Sequence, residues 1–109
     1  MRLRFFAFLA LALLAPGAVW ADPVEEHLSI KNHAFVPQEL AVPAGQKIKL
    51  IVKNEDATPA EFESYELNRE KVVPAQSEVT VFLDALDAGA YPFFDDFHRS
   101  TTTGKIVAK

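Results

Sequence analysis

The chain has 109 residues, half of them hydrophobic, with a formal charge of −4, four glycines, seven prolines and no cysteine. That length suits one domain, and the glycine, proline and cysteine counts exclude collagen-like, low-complexity and disulfide-framework classes. From residue 22 onward 15 Asp+Glu face 9 Lys+Arg, a charge of −6 that repels nucleic acid and anionic membranes alike.

In chain order, Arg2 and Arg4 precede an uninterrupted apolar run from Phe5 to Ala15, followed by Pro16-Gly17 and by Val19-Trp20-Ala21 ahead of Asp22. This is the layout of a secretory signal peptide cleaved after Ala21. The run is too short for a spanning helix, which needs about 20 apolar residues. With no cysteine to carry a lipid, a lipoprotein anchor is excluded. The expectation is a leader over 1–21 and a mature domain over 22–109, exported to a bacterial periplasm and not inserted in a membrane.

Short strands follow. His27 to Lys31 alternates polar and apolar side chains. Leu40 and Val42 come after Pro37, and Pro43-Ala44-Gly45 makes a turn. Ile48, Leu50 and Val52 point one way while Lys47, Lys49 and Lys53 point the other, the period of a half-buried strand. Asn54-Glu55-Asp56 and Thr58-Pro59 break it. Glu61-Phe62-Glu63 alternates briefly, Tyr65 to Lys71 has room for one helical turn at most, and Val72-Val73-Pro74 ends another strand. Glu78 to Leu83 alternates with Val79, Val81 and Leu83 inward. Ala88-Gly89 turns the chain into Ala90 to Phe94, and Gly104 to Ala108 closes it. The expectation is an all-β Greek-key sandwich of about eight short antiparallel strands, with function in the loops gathered at its ends.

Several chemistries are excluded. There is no cysteine and no G-x-S-x-G nucleophile elbow. The glycines at 17, 45, 89 and 104 stand apart and make no phosphate loop. A zinc finger needs thiolates or more than three histidines.

Phe93-Phe94-Asp95-Asp96-Phe97-His98 stands out, with two carboxylates and an imidazole among three phenylalanines at a strand end. Such oxygen and nitrogen donors suit iron, manganese, copper(II) or zinc. Asp-Asp is equally a common turn pair. Glu61 and Glu63, two apart on a strand, share a face opposite Phe62. They repel unless a cation or donor sits between them, though a solvated acidic face reads the same way. His33, near the end of the first strand, is either a loop residue or a further ligand. Glu55-Asp56 reads as turn chemistry, and Arg69-Glu70-Lys71 as a solvated charged face.

The order of pieces resembles the cupredoxin superfamily: Phe35-x-Pro37, Val42-Pro43-Ala44-Gly45, Ile48 to Asn54, Gly89-x-Tyr91, and Gly104-Lys105-Ile106-Val107. The resemblance implies a metal at one end of the sandwich. Its ligands would come from the segment after the central strand and from the loop before the last strand, where Glu61/Glu63 and Asp95/Asp96/His98 fall. Blue-copper centres use a cysteine thiolate, two histidines and a weak methionine. This chain has no cysteine, and its only methionine is Met1.

More narrowly, Asn54-Glu55-Asp56-x-x-Pro59-Ala60-Glu61-Phe62-Glu63-Ser64 and Tyr91 to His98 resemble the periplasmic cupredoxin-like component of Ftr-type bacterial ferrous-iron uptake systems, related to EfeO cupredoxin domains. That resemblance implies metal binding by Glu61, Glu63, Asp95, Asp96 and His98, with iron as Fe2+/Fe3+ first and copper second. It also implies partners: an inner-membrane iron permease and other periplasmic uptake components. The leading expectation is assisted ferrous oxidation. The alternatives are a copper(II) carrier without turnover and a metal-free interaction module on the same scaffold.

Overall fold

The computed structural model describes residues 21–109. The leader expected over 1–21 lies, apart from Ala21, outside the described residues. Nine strands form: β1 (Val24–Lys31), β2 (Ala34–Val36), β3 (Glu39–Val42), β4 (Ile48–Asn54), β5 (Ala60–Ser64), β6 (Arg69–Val73), β7 (Ser77–Leu83), β8 (Gly89–Asp95) and β9 (Thr103–Ala108). A single 3-10 turn, Asp96–His98, follows β8. The strands make two sheets, ordered β2-β1-β4-β7 and β3-β9-β8-β5-β6, packed as a sandwich around one core.

Ile48, Leu50 and Val52 are wholly buried, as their alternation with lysine requires. Each such aliphatic side chain contributes about 1.5–3 kcal/mol through burial. Facing them, Phe62, Phe93 and Ile106 come from the other sheet. Phe93 meets Phe35 edge-on at 4.7 Å between ring centroids and Phe62 at 5.1 Å, a geometry that aromatic quadrupoles favour. The backbone of Gly104 lies against this cluster. A Cβ there would sit 2.6 Å from the Phe93 ring and 2.7 Å from the Gln38 carbonyl oxygen, so only glycine fits.

The expected all-β sandwich of about eight strands is borne out, with one correction, that its sheets are not purely antiparallel. The strand count is nine, because Ala34–Val36 folds back on β1 through the two-residue turn Asn32-His33. The sheets are mixed: β1 runs parallel to β4 and β3 parallel to β9, since each pair is joined by a crossover and not by a hairpin. Tyr65 to Lys71 forms no helical turn. Its first half is a tight turn and its second half belongs to β6, where pairing with β5 decides the backbone. Among the described residues no helix is long and apolar enough to cross a membrane.

Candidate metal centre

Burial of Phe62 in the core turns its neighbours Glu61 and Glu63 to the outer face of the five-stranded sheet. The β5–β6 hairpin reverses over Tyr65–Asn68, which pairs Ser64 with Arg69 and therefore Glu63 with Glu70. Carboxylate oxygens of Glu61, Glu63 and Glu70 consequently lie within 4.8 Å of one another. On the other side β8 pairs Glu63 with Phe94 and Phe62 with Asp95, and the same register brings Asp96 alongside Glu61.

Among the described residues no lysine or arginine forms an ion pair with Glu61, Glu63 or Glu70. Glu61 is only 8% exposed. Burial, then a hydrogen bond to Glu70, then the charges of Glu70, Asp96 and Glu63 push its carboxyl up to about 7. Like charges at this spacing need a proton or a cation between them. A cleft of about 310 Å³, lined by Glu63, Ser64, Tyr65, Asn68, Arg69 and Glu70, opens the cluster to solvent.

Asp95 and Asp96, adjacent on a strand end, face opposite ways. Asp95 is 1% exposed, on the core side with Phe93. Its Oδ1 accepts the backbone N–H groups of Glu61 (2.9 Å) and Phe97 (3.0 Å), capping the 3-10 turn. Its Oδ2 lies 3.0 Å from His98 Nδ1. A carboxylate already taking two amide hydrogens accepts the imidazole N–H as well, which leaves His98 Nε2 as the free lone pair. Asp96 points outward and accepts from Arg99 Nε. The Arg99 guanidinium also lies 5.2 Å from the Phe94 ring centroid, a cation–π contact on the same outer face.

The five residues singled out in the sequence therefore divide into two groups. Glu61 and Glu63 stand together with Asp96 beside them. Asp95 and His98 form a second unit, in which Asp95 serves as a structural acceptor. Glu70, read from the sequence as part of a solvated face, joins the first group. Hairpin arithmetic carried the signal: four residues between Ser64 and Arg69 place Glu70 opposite Glu63. His33 joins the second group, its ring centroid 4.5 Å from that of His98. His27 does neither, pairing with Glu25 at 3.7 Å on the outward face of β1.

The donor set decides which metals fit. Three carboxylates with access to water suit hard cations. A blue-copper centre does not fit, because no thiolate exists in the chain.

A family model described as a cupredoxin-like domain matches residues 3–108. An uncharacterized protein of Rickettsia prowazekii (strain Madrid E) is 43% identical over 84 residues, which are 77% of this chain and 67% of that protein. Auracyanin A, a blue copper protein from Chloroflexus aurantiacus, superposes with a TM-score of 0.69 at 20% identity, over 81% of this chain and all of its own. Amicyanin from Paracoccus versutus does so with a TM-score of 0.60 at 18% identity, over 84% and 86% of the two chains. At these identities the two structures share the fold.

Proposed function

The chain belongs to the cupredoxin-like domain family, and from that premise we propose that it is a periplasmic protein that binds ferrous iron and assists its oxidation for delivery to an inner-membrane iron permease. One observation carries the reading: Glu61, Glu63 and Glu70 converge within 4.8 Å and, among the described residues, none of them is ion-paired to lysine or arginine, with one of the three almost fully buried.

Iron is the substrate. A ferrous ion entering the cleft displaces the proton held between Glu61 and Glu70, because both carboxylates must be ionised to ligate. Glu63 supplies a third oxygen from the same face, and Asp96 adds negative charge alongside Glu61. Anionic oxygens favour the ferric over the ferrous ion, since the extra metal charge gains from each carboxylate where water is partly excluded. Release of one electron to an acceptor such as dioxygen is thereby made easier.

Phe62 and the Asp95 clamp anchor β5 beneath the cluster, and the β5–β6 pairing carries Glu70 to Glu61 and Glu63. The leader-like pattern read in residues 1–21 supports export. The two sequence blocks around Glu61 and His98 support a place in iron uptake.

The test is kinetic. Ferrous iron is added anaerobically to metal-free protein, air is admitted, and ferric product is followed against a protein-free control. The expected result is one iron bound per chain and accelerated oxidation, both lost in the Glu61→Gln/Glu63→Gln/Glu70→Gln variant. Absence of binding and of acceleration in the unmodified protein, with or without added copper, overturns the reading.

A further inference from the structure

The outer face of the five-stranded sheet carries more than the carboxylates. Beside them lies a groove of about 560 Å³, a size suited to a small molecule. The geometry points to a binding site for a small aromatic carboxylate, its ring against Tyr65 and Phe94 and its carboxylate on Arg99 and Lys105.

The groove exists because two strands part. Pro92 has no N–H to give a neighbouring strand, and the β5–β8 ladder consists of Phe62↔Asp95 and Glu63↔Phe94. The β8–β9 ladder, in contrast, runs on from Phe94 to Gly89. Beyond Glu63 the Ser64 hydroxyl takes over, donating to the Pro92 carbonyl at 2.7 Å. The tip of the β5–β6 hairpin therefore stands clear of the β8 ladder. The Tyr65 ring reaches Phe94 across the gap, their centroids 5.4 Å apart and their planes tilted by 55°.

Alternation sets the lining. Phe93 and Asp95 are buried on the core side, so Pro92 and Phe94 face outward on β8. The register puts Lys105 of β9 opposite Pro92, and Glu39 of β3 opposite Lys105. Arg99, just past the 3-10 turn, returns over Phe94 at 5.2 Å. Tyr65 stays 64% exposed despite its aromatic neighbour, leaving apolar area that a stacked ring would cover.

Charge selects the head of the ligand. Arg99 and Lys105 against Glu39 leave the lining one net positive charge in an otherwise acidic domain. Arg99 gives its Nε–H to Asp96, and Asp96 first, then Tyr65, hold the guanidinium above its ordinary pKa. A guanidinium has five N–H donors, so N–H groups remain for a carboxylate, which it can grip bidentately. The Lys105 ammonium sits 4.0 Å from Glu39, beyond hydrogen-bond distance. Across the paired positions Glu63 and Phe94 the sheet thus changes sign, from an anionic cluster to an aromatic, cationic groove. The inference stands whether or not the glutamate cluster takes iron.

Metal-free protein in chelator-treated buffer is titrated with sodium naphthoate and followed by heteronuclear NMR. Cyclohexanecarboxylate keeps the charge without the aromatic ring, and naphthalenemethanol keeps the ring without the charge. The expected result is saturable shifts that begin at Tyr65, Phe94, Arg99 and residues 103–105. Naphthoate is expected to bind roughly tenfold or more tighter than either comparison probe. Arg99→Gln is expected to weaken naphthoate roughly tenfold, and Lys105→Gln by about two- to fivefold. The Glu61→Gln/Glu63→Gln/Glu70→Gln variant is expected to bind naphthoate as the unmodified protein does. Absence of saturable shifts, or shifts that begin elsewhere in the unmodified protein, overturns the site. So do equal binding of the neutral alcohol and undiminished affinity in Arg99→Gln. The shift map and the probe comparison need no variant, so a substitution that fails to fold leaves the test intact.

Discussion

Asp95 and Glu61, linked by the Glu61 backbone N–H donating to Asp95 Oδ1, show how two acidic residues take different roles. Asp95 is buried with all its bonds satisfied: two backbone amides and one imidazole. Replacing it with alanine leaves both amides without a partner, at about 1–3 kcal/mol each. Asp95→Ala is therefore expected to lower stability by roughly 2–6 kcal/mol in urea unfolding, and Asp95→Asn by less because one acceptor oxygen remains. Glu61 is buried with acids for neighbours, and its carboxyl is pushed up to about 7 from 4.5. Because the folded state holds this proton more tightly, the stabilisation is complete below about pH 4.5 and disappears as pH rises through about 7. The metal-free protein is expected to melt lower at pH 8 than at pH 5.5. In Glu61→Gln that slope is expected to flatten, which thermal unfolding in chelator will reveal.

At the scale of elements, the β5–β6 hairpin and the β8–β9 pair carry the site. The hairpin register alone makes Glu70 a neighbour of Glu63. A one-residue insertion in Tyr65–Asn68 shifts every β6 side chain to the opposite face. Such an insertion is expected to abolish metal uptake while circular dichroism retains its β signal. In the second pair, Gly104 lets β9 close on Phe93 and the Gln38 carbonyl. Gly104→Ala is expected to cost about 1–3 kcal/mol by overpacking, measured as a lowered unfolding midpoint. The loss here comes from the core and not from the metal, so saturating iron is expected to leave the difference from the unmodified protein unchanged.

For the whole molecule, a ligand that binds only the folded state raises its stability by mass action. Ferrous iron at a hundred times its dissociation constant adds about 2.7 kcal/mol, which for a domain of this size corresponds to roughly 10–20 °C in melting temperature. Chelator is expected to reverse the shift, and the Glu61→Gln/Glu63→Gln/Glu70→Gln variant to show none. The sandwich itself was legible because β4 and β7 alternate cleanly, with Ile48, Leu50 and Val52 buried as their period requires. The three-residue β2 was not, since it exists only through its turn. Two of the three cluster carboxylates were legible in the same way, Glu61 and Glu63 by their spacing around Phe62.

By itself the sequence determined the all-β class, the acidity, the exclusion of thiolate copper and the shared face of Glu61 and Glu63. These follow from composition and from a period of two, which are local properties of the chain. Tertiary structure alone decided that Glu70 belongs with them, that Asp95 and Asp96 part company, and that His33 meets His98. Those are contacts across strands or between loops, His33 and His98 being 65 positions apart. Strand register and loop packing set them, through hydrogen bonds that no spacing within one segment encodes.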